Sequence, residues 1–190
     1  AFARVLREAV RLIPRNPDSD QVLQVWNRRV TLSAEEVRSA ISRARRSGRP
    51  HNVVRESFAL GLMELLANRL IIEAGDAHSA ADIDPDDLNS WMAEIRDSID
   101  ARRAINLAWM PTQAPAFLRK LWSRPALLAA ANRHAGSPLS VEELATLKRS
   151  ADEPFTTADI PLIDELEELL GTLDVASAQS ARAEKQREKE

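Results

Sequence analysis

Cysteine and tyrosine are absent from this 190-residue chain, glycine occurs only five times, and tryptophan and phenylalanine four times each. The lack of cysteine excludes disulfides and thiolate metal sites. With aromatic residues at 4%, Leu, Ile, Val and Ala must fill whatever core forms. The glycines (Gly48, Gly61, Gly75, Gly136 and Gly171) are isolated. There is accordingly no G-x-x-x-x-G-K-S/T phosphate loop, and no apolar strand ends in a Walker B carboxylate pair. No apolar run approaches the roughly 20 residues that span a bilayer, and Ala1 to Ile13 is too polar for a signal peptide. These absences predict a soluble, cytoplasmic protein with no membrane partner.

Side chains that carry chemistry are not arranged for it. His51, His78 and His134 are far apart, no H-E-x-x-H occurs, and no serine lies in G-x-S-x-G. A hydrolase needs a nucleophile and a base, or a carboxylate pair, in one cleft; no catalytic residue is expected in this chain. Asp82, Asp84, Asp86 and Asp87 invite comparison with a calcium loop. That loop needs Gly at its sixth position and Glu at its twelfth, where counting from Asp82 gives Asp87 and Ala93. No metal ligand set and no cofactor are expected here.

What the chain does hold is helix-forming material. Hydrophobic residues make up 44%, enough for a core, and abundant Leu, Ala, Arg and Glu lose little entropy on entering a helix. The predicted fold is all-α, a multi-helix domain with one candidate β-hairpin near residues 22–32. Phe2, Val5, Leu6, Ala9, Val10 and Ile13 have helical spacing, ended by Pro14 and Pro17. VLQVW and VTL favour strands around a loop at Asn27-Arg28-Arg29. Ser33 with Glu36 is a capping box for a helix that Gly48 stops. Asn52 to Glu73 carries the longest helical signal and is expected at the centre of the fold, with Gly61 allowing a close helix crossing. Asp84-Pro85-Asp86-Asp87 starts a further helix that continues or bends through Ala101 to Leu107.

From Trp109 to Gly171 four short helices follow one another. Pro115 precedes the first, Arg124-Pro125 opens the second, Ser140 with Glu143 caps the third, and Thr156 or Thr157 opens the fourth, which Gly171 stops. The charges are sorted along the chain. Net charge is -3, which argues against a dedicated DNA-binding domain. Yet seven arginines (28, 29, 38, 43, 45, 46, 49) face two glutamates between Trp26 and Pro50. Nine acids face Arg96 alone between Glu73 and Asp100, and eight acids with no Lys or Arg lie between Ala151 and Asp174. Such segregation makes faces of opposite potential that steer a charged partner.

The segment FTTADIPLIDELEELLG (Phe155 to Gly171), preceded by Leu107 to Pro111, Ser123 to Leu128 and Leu139 to Leu147, resembles one part of the HelD family. These are UvrD/Rep-like superfamily I DNA helicases of high-GC Gram-positive bacteria that associate with RNA polymerase. His51 to Leu66 resembles a helix upstream in that family. The resemblance implies the helical insertion carried by the first motor domain, without the motor; ATP and Mg²⁺ would belong to the parent protein. The start at Ala1 rather than Met agrees with an excised piece. RNA polymerase is the implied partner, with nucleic acid as a further candidate. Insertions in the family reach into polymerase channels, which makes Asp152, Glu153, Asp159 and Asp164 candidate acidic contacts, the first three as a tip.

The expected organisation is a helical subdomain over 1–108, a second over 109–171 with the acidic segment 151–174, and a charged connector over 172–190. Arg28, Arg29, Arg43, Arg45, Arg46 and Arg49 are candidate basic contacts. Two other readings stand beside the first. One is a DNA-binding accessory domain of a repair-type helicase that uses those arginines on phosphates. The other is a helical scaffold unrelated to helicases. Oligomeric state has no signature in the sequence.

Overall fold

Apolar periodicity and local caps build nine α-helices and one hairpin in a computed structural model that describes residues 1–173. The mainly-α class with a small hairpin is as the sequence predicts. The described residues form two units. The first gathers Ala1–Ile13, Arg49–Val53 and the chain from Pro111 onward; the second gathers Pro14–Gly48 and Val54–Met110. The connector expected over 172–190 lies, from residue 174 on, outside the described residues, as does Asp174.

In the first unit, helix α1 (Phe2–Arg11) buries Val5, Leu6, Ala9 and Val10. That stripe packs on α7 (Pro125–His134) and α9 (Ile160–Leu170), and α6 (Ala114–Ser123) joins both. Leu118, Leu121, Leu128, Leu166 and Leu170 complete the core. A cut at 108/109 would separate α1 from these helices; its apolar stripe finds its cover about 120 to 160 residues further along the chain. The short helix α8 (Val141–Thr146) opens with the expected capping box: Glu143 N–H donates to Ser140 Oγ at 3.2 Å and Ser140 N–H to Glu143 Oε2 at 2.8 Å.

Asn52 closes this unit. Its Oδ1 accepts from Thr112 N–H at 3.0 Å, and its Nδ2 donates to the carbonyls of Thr112 and Gly171 at 2.8 and 3.1 Å. One buried amide thus ties three distant segments. Gly171 ends α9 with φ +74, and a Cβ there would lie 2.8 Å from Cβ of Pro50.

In the second unit, strands β1 (Gln21–Val25) and β2 (Arg28–Leu32) pair antiparallel, Leu23 opposite Val30 and Val25 opposite Arg28. The turn is Trp26-Asn27, one residue earlier than Asn27-Arg28-Arg29, and Arg28 and Arg29 belong to the strand. A loop over 27–29 would have set Gln24 opposite Leu32. The observed register instead sets Leu23 and Val30 side by side in the core, and a buried face selects register in this way. Helix α2 (Ala34–Arg45) has its capping box, with Glu36 N–H to Ser33 Oγ at 3.1 Å and Ser33 N–H to Glu36 Oε2 at 2.9 Å. Glu36 also takes an ion pair and hydrogen bonds from Arg69.

The long helix α3 (His51–Ala74) supplies Phe58, Leu62, Leu66 and Leu70 to the core of the second unit. Gly61 on it is exposed, and an added Cβ would meet nothing within 4 Å. No helix crosses closely there, contrary to the sequence-based expectation. Helix α4 (Pro85–Asp97) starts at Asp84, whose Oδ1 accepts from Asp86 N–H at 2.8 Å. Ser98 ends α4 and caps α5 (Ile99–Ala108). Its hydroxyl donates to Gln24 O at 2.6 Å and accepts from Ala101 N–H, so the bend between the helices is pinned to β1.

Candidate partner-contact surface

The acidic segment begins on a tight turn between α8 and α9. Glu153 N–H donates to Ser150 O at 3.2 Å, and Glu153 Oε2 accepts from Ser150 N–H at 3.2 Å. Two arginines hold this turn from behind. Arg119 on α6 donates from Nη1 to the carbonyl of Glu153 at 2.9 Å and of Ala151 at 3.3 Å, with its guanidinium 4.1 Å from the Phe155 ring centre. Arg149 donates its backbone N–H to Trp122 O at 3.0 Å and stacks over the Trp122 ring. The carbonyls of Ala151 and Glu153 turn inward to Arg119, and the Asp152 and Glu153 side chains are left exposed.

Asp159 does not join them. It is 1% exposed. Its Oδ2 accepts from Arg149 Nη1 at 2.7 Å, from Thr156 N–H at 2.7 Å and from the Thr156 hydroxyl at 3.1 Å. The bond from Arg149, helped by those from Thr156, holds its carboxyl below the usual carboxylate range against the opposing effect of burial. The expected contact role of Asp159 is therefore replaced by a structural one: it caps the 3-10 turn Thr157–Asp159 that leads into α9. Its Oδ1 is buried without a hydrogen-bond partner among the described residues, as is Nε1 of Trp122. Asp164 is exposed on α9, beside exposed Glu167 and Glu168, while Leu166 and Leu170 face the core.

The arginines predicted as one basic group are divided. Arg28 and Arg29 lie on β2, Arg43 and Arg45 in the last turn of α2 and Arg46 just beyond it, all in the second unit. Arg49 belongs to the first unit. Arg29, Arg43, Arg45, Arg46 and Arg49 are exposed and Arg28 is half-buried. Arg45 also reaches the carbonyl of Pro14 at 3.4 Å. Cations at the end of α2 face its negative dipole end, which is a sufficient folding reason for Arg43 and Arg45.

Sequence reasoning missed Arg119 and Arg149. Each sits beside a lysine, Lys120 or Lys148, in a pair that reads as an ordinary solvated surface, and its partner carbonyl or carboxylate lies 10 to 34 residues away. Among the described residues no group of three or more His, Asp or Glu is arranged to hold a metal ion, and no helix is long and apolar enough to cross a membrane. No protein-family model matches the chain, and no curated protein matches it.

Proposed function

We propose that this chain is the protein-interaction insertion of a HelD-like superfamily I helicase, and that it contacts RNA polymerase in the cytoplasm to help open it or displace nucleic acid. The observation that carries the reading is the acidic turn: Asp152 and Glu153 stand exposed on a turn whose backbone is fixed by Arg119. Carboxylates set out on a fixed turn can take the place of phosphate oxygens in a basic channel or near a bound Mg²⁺. Asp164 extends the same charge along α9. The resemblance of Phe155 to Gly171 names the partner. ATP and Mg²⁺ would be bound by the motor of the parent protein, and this chain adds no catalytic group.

Capture of core RNA polymerase by this chain tests the reading, with DNA binding measured in parallel at about 150 mM salt, where nonspecific phosphate contacts are already weakened. Polymerase capture is expected, and Asp152→Asn with Glu153→Gln is expected to reduce it. Asp164→Asn should reduce it less, because that carboxylate lies on the helix and not on the turn. DNA binding without polymerase capture, lost on Arg43, Arg45 and Arg46→Glu, would replace this reading by the accessory DNA-binding domain.

A further inference from the structure

Ile160 stands first in α9 and is 54% exposed. Neither packing nor helix electrostatics gives a reason for it. The buried stripe of α9 runs through Leu166 and Leu170, with Leu162, Ile163 and Leu169 beside it. The first turn carries no acid, although acids are plentiful in the rest of the helix and the positive end of the helix dipole favours one there.

Helix spacing places Ile160 on the other side of α9. At 3.6 residues per turn it lies within about 40° of Asp164 and about 20° of Glu167, seen down the axis. Asp164, Glu167 and Glu168 are all exposed, and so are Ala158 and Pro161 on either side of Ile160. No Lys or Arg occurs between Ala151 and Gly171. The residue before Ile160 is Asp159, whose carboxylate is held by Arg149 at 2.7 Å, three residues ahead of Asp152. The exposed surface therefore runs from the acids of the turn, Asp152 and Glu153, through an apolar step at Ala158, Ile160 and Pro161, to the acids of α9.

We infer that Ile160 is the apolar anchor of the acidic surface, and that the partner surface it fits is a protein face with basic side chains around an apolar recess. This rests on the interaction reading proposed above and adds what makes that contact selective. Carboxylates alone attract any cationic surface, and salt screens the attraction. An isoleucine buried in a recess adds affinity that screening does not remove, and only a surface with such a recess gains it. A phosphate backbone is repelled by the acids on both sides of the apolar step.

The test is a titration of core RNA polymerase with the full chain at several salt concentrations. The affinity of the parent is expected to fall with salt. Ile160→Thr keeps the branched shape and the half-exposed position, so the thermal midpoint should stay near that of the parent. It is expected to weaken binding about tenfold at every salt concentration, with the salt slope unchanged. Ile160→Val should retain most of the affinity, whereas Asp152→Asn with Glu153→Gln should flatten the slope. Undiminished binding of Ile160→Thr, beside a parent that binds and turn variants that do not, would overturn the anchor and leave the interaction reading in place. A weakening that disappears at high salt would also overturn it, because the contact would then be electrostatic. No binding by the parent would overturn both.

Discussion

Asp159 shows how one buried charge governs local structure. Its folded carboxyl lies below the ordinary range because Arg149 and Thr156 favour the ionised form. A carboxylate with a depressed folded pKa adds stability that is fully present above its unfolded value, about 3.9, and is lost as the pH falls from there through the folded value. Asp159→Asn leaves Arg149 facing an uncharged amide, and removing one partner of a buried pair costs about 3 kcal/mol. Urea unfolding at pH 7 should show that loss, and the difference between variant and parent should shrink below about pH 4. A constant difference down to pH 2 would show that the ion pair is not its cause. Gly61 presents the opposite case. It is a helix-interior glycine with open space at its Cβ position, so Gly61→Ala should raise stability by about 1 kcal/mol, read as a higher denaturant midpoint with unchanged slope.

At the level of elements, starts and stops were the most legible part of the sequence. Ser33, Asp84 and Ser140 accept from backbone N–H groups two or three residues away, and Pro125 fixes its own backbone at a helix start, so a local reading finds them. The hairpin was legible as an element, but its turn was not, because register answers to the core and not to turn propensity. The place of Trp26 was hidden for the same reason: a strand residue by composition became a turn residue by register. Gly171 was legible as a helix stop, yet its larger role was not. Its φ of +74 and the 2.8 Å that would separate an added Cβ from Pro50 both oppose any side chain. Gly171→Ala should therefore cost about 1–3 kcal/mol and loosen the start of α3, where Asn52 binds the Gly171 carbonyl. Faster amide exchange at Thr112, whose N–H donates to Asn52, would report the loss; unchanged exchange there would show that the clamp survives without glycine.

For the molecule as a whole, the arrangement of chain segments matters more than the count of helices. An apolar stripe on α1 announces that a partner helix exists without saying which one. The partners are α7 and α9, so no local pattern could have joined residues 1–13 to the C-terminal helices. The candidate acidic contacts were half legible in the same way. Asp152 and Glu153 are exposed as their irregular surroundings suggest, whereas the burial of Asp159 depends on Arg149 and could be seen only after folding. Because Leu166 and Leu170 lie in the core of the first unit, a chain ended at Pro154 should lose hydrogen-exchange protection in α1, α6 and α7. The hairpin, α4 and α5, which pack in the other core, should keep theirs. Equal loss in both sets would show that the two cores do not fold independently.

The distance along the chain from α1 to α9 also sets a waiting time. About 150 residues separate them, and at ribosomal rates of roughly 5–20 residues per second the last helix follows the first by about 8 to 30 s. Over that interval Val5, Leu6, Ala9 and Val10 have α7 at best and no α9 to cover them. Each newly made copy thus carries the apolar stripe of α1 without its α9 cover for seconds during synthesis.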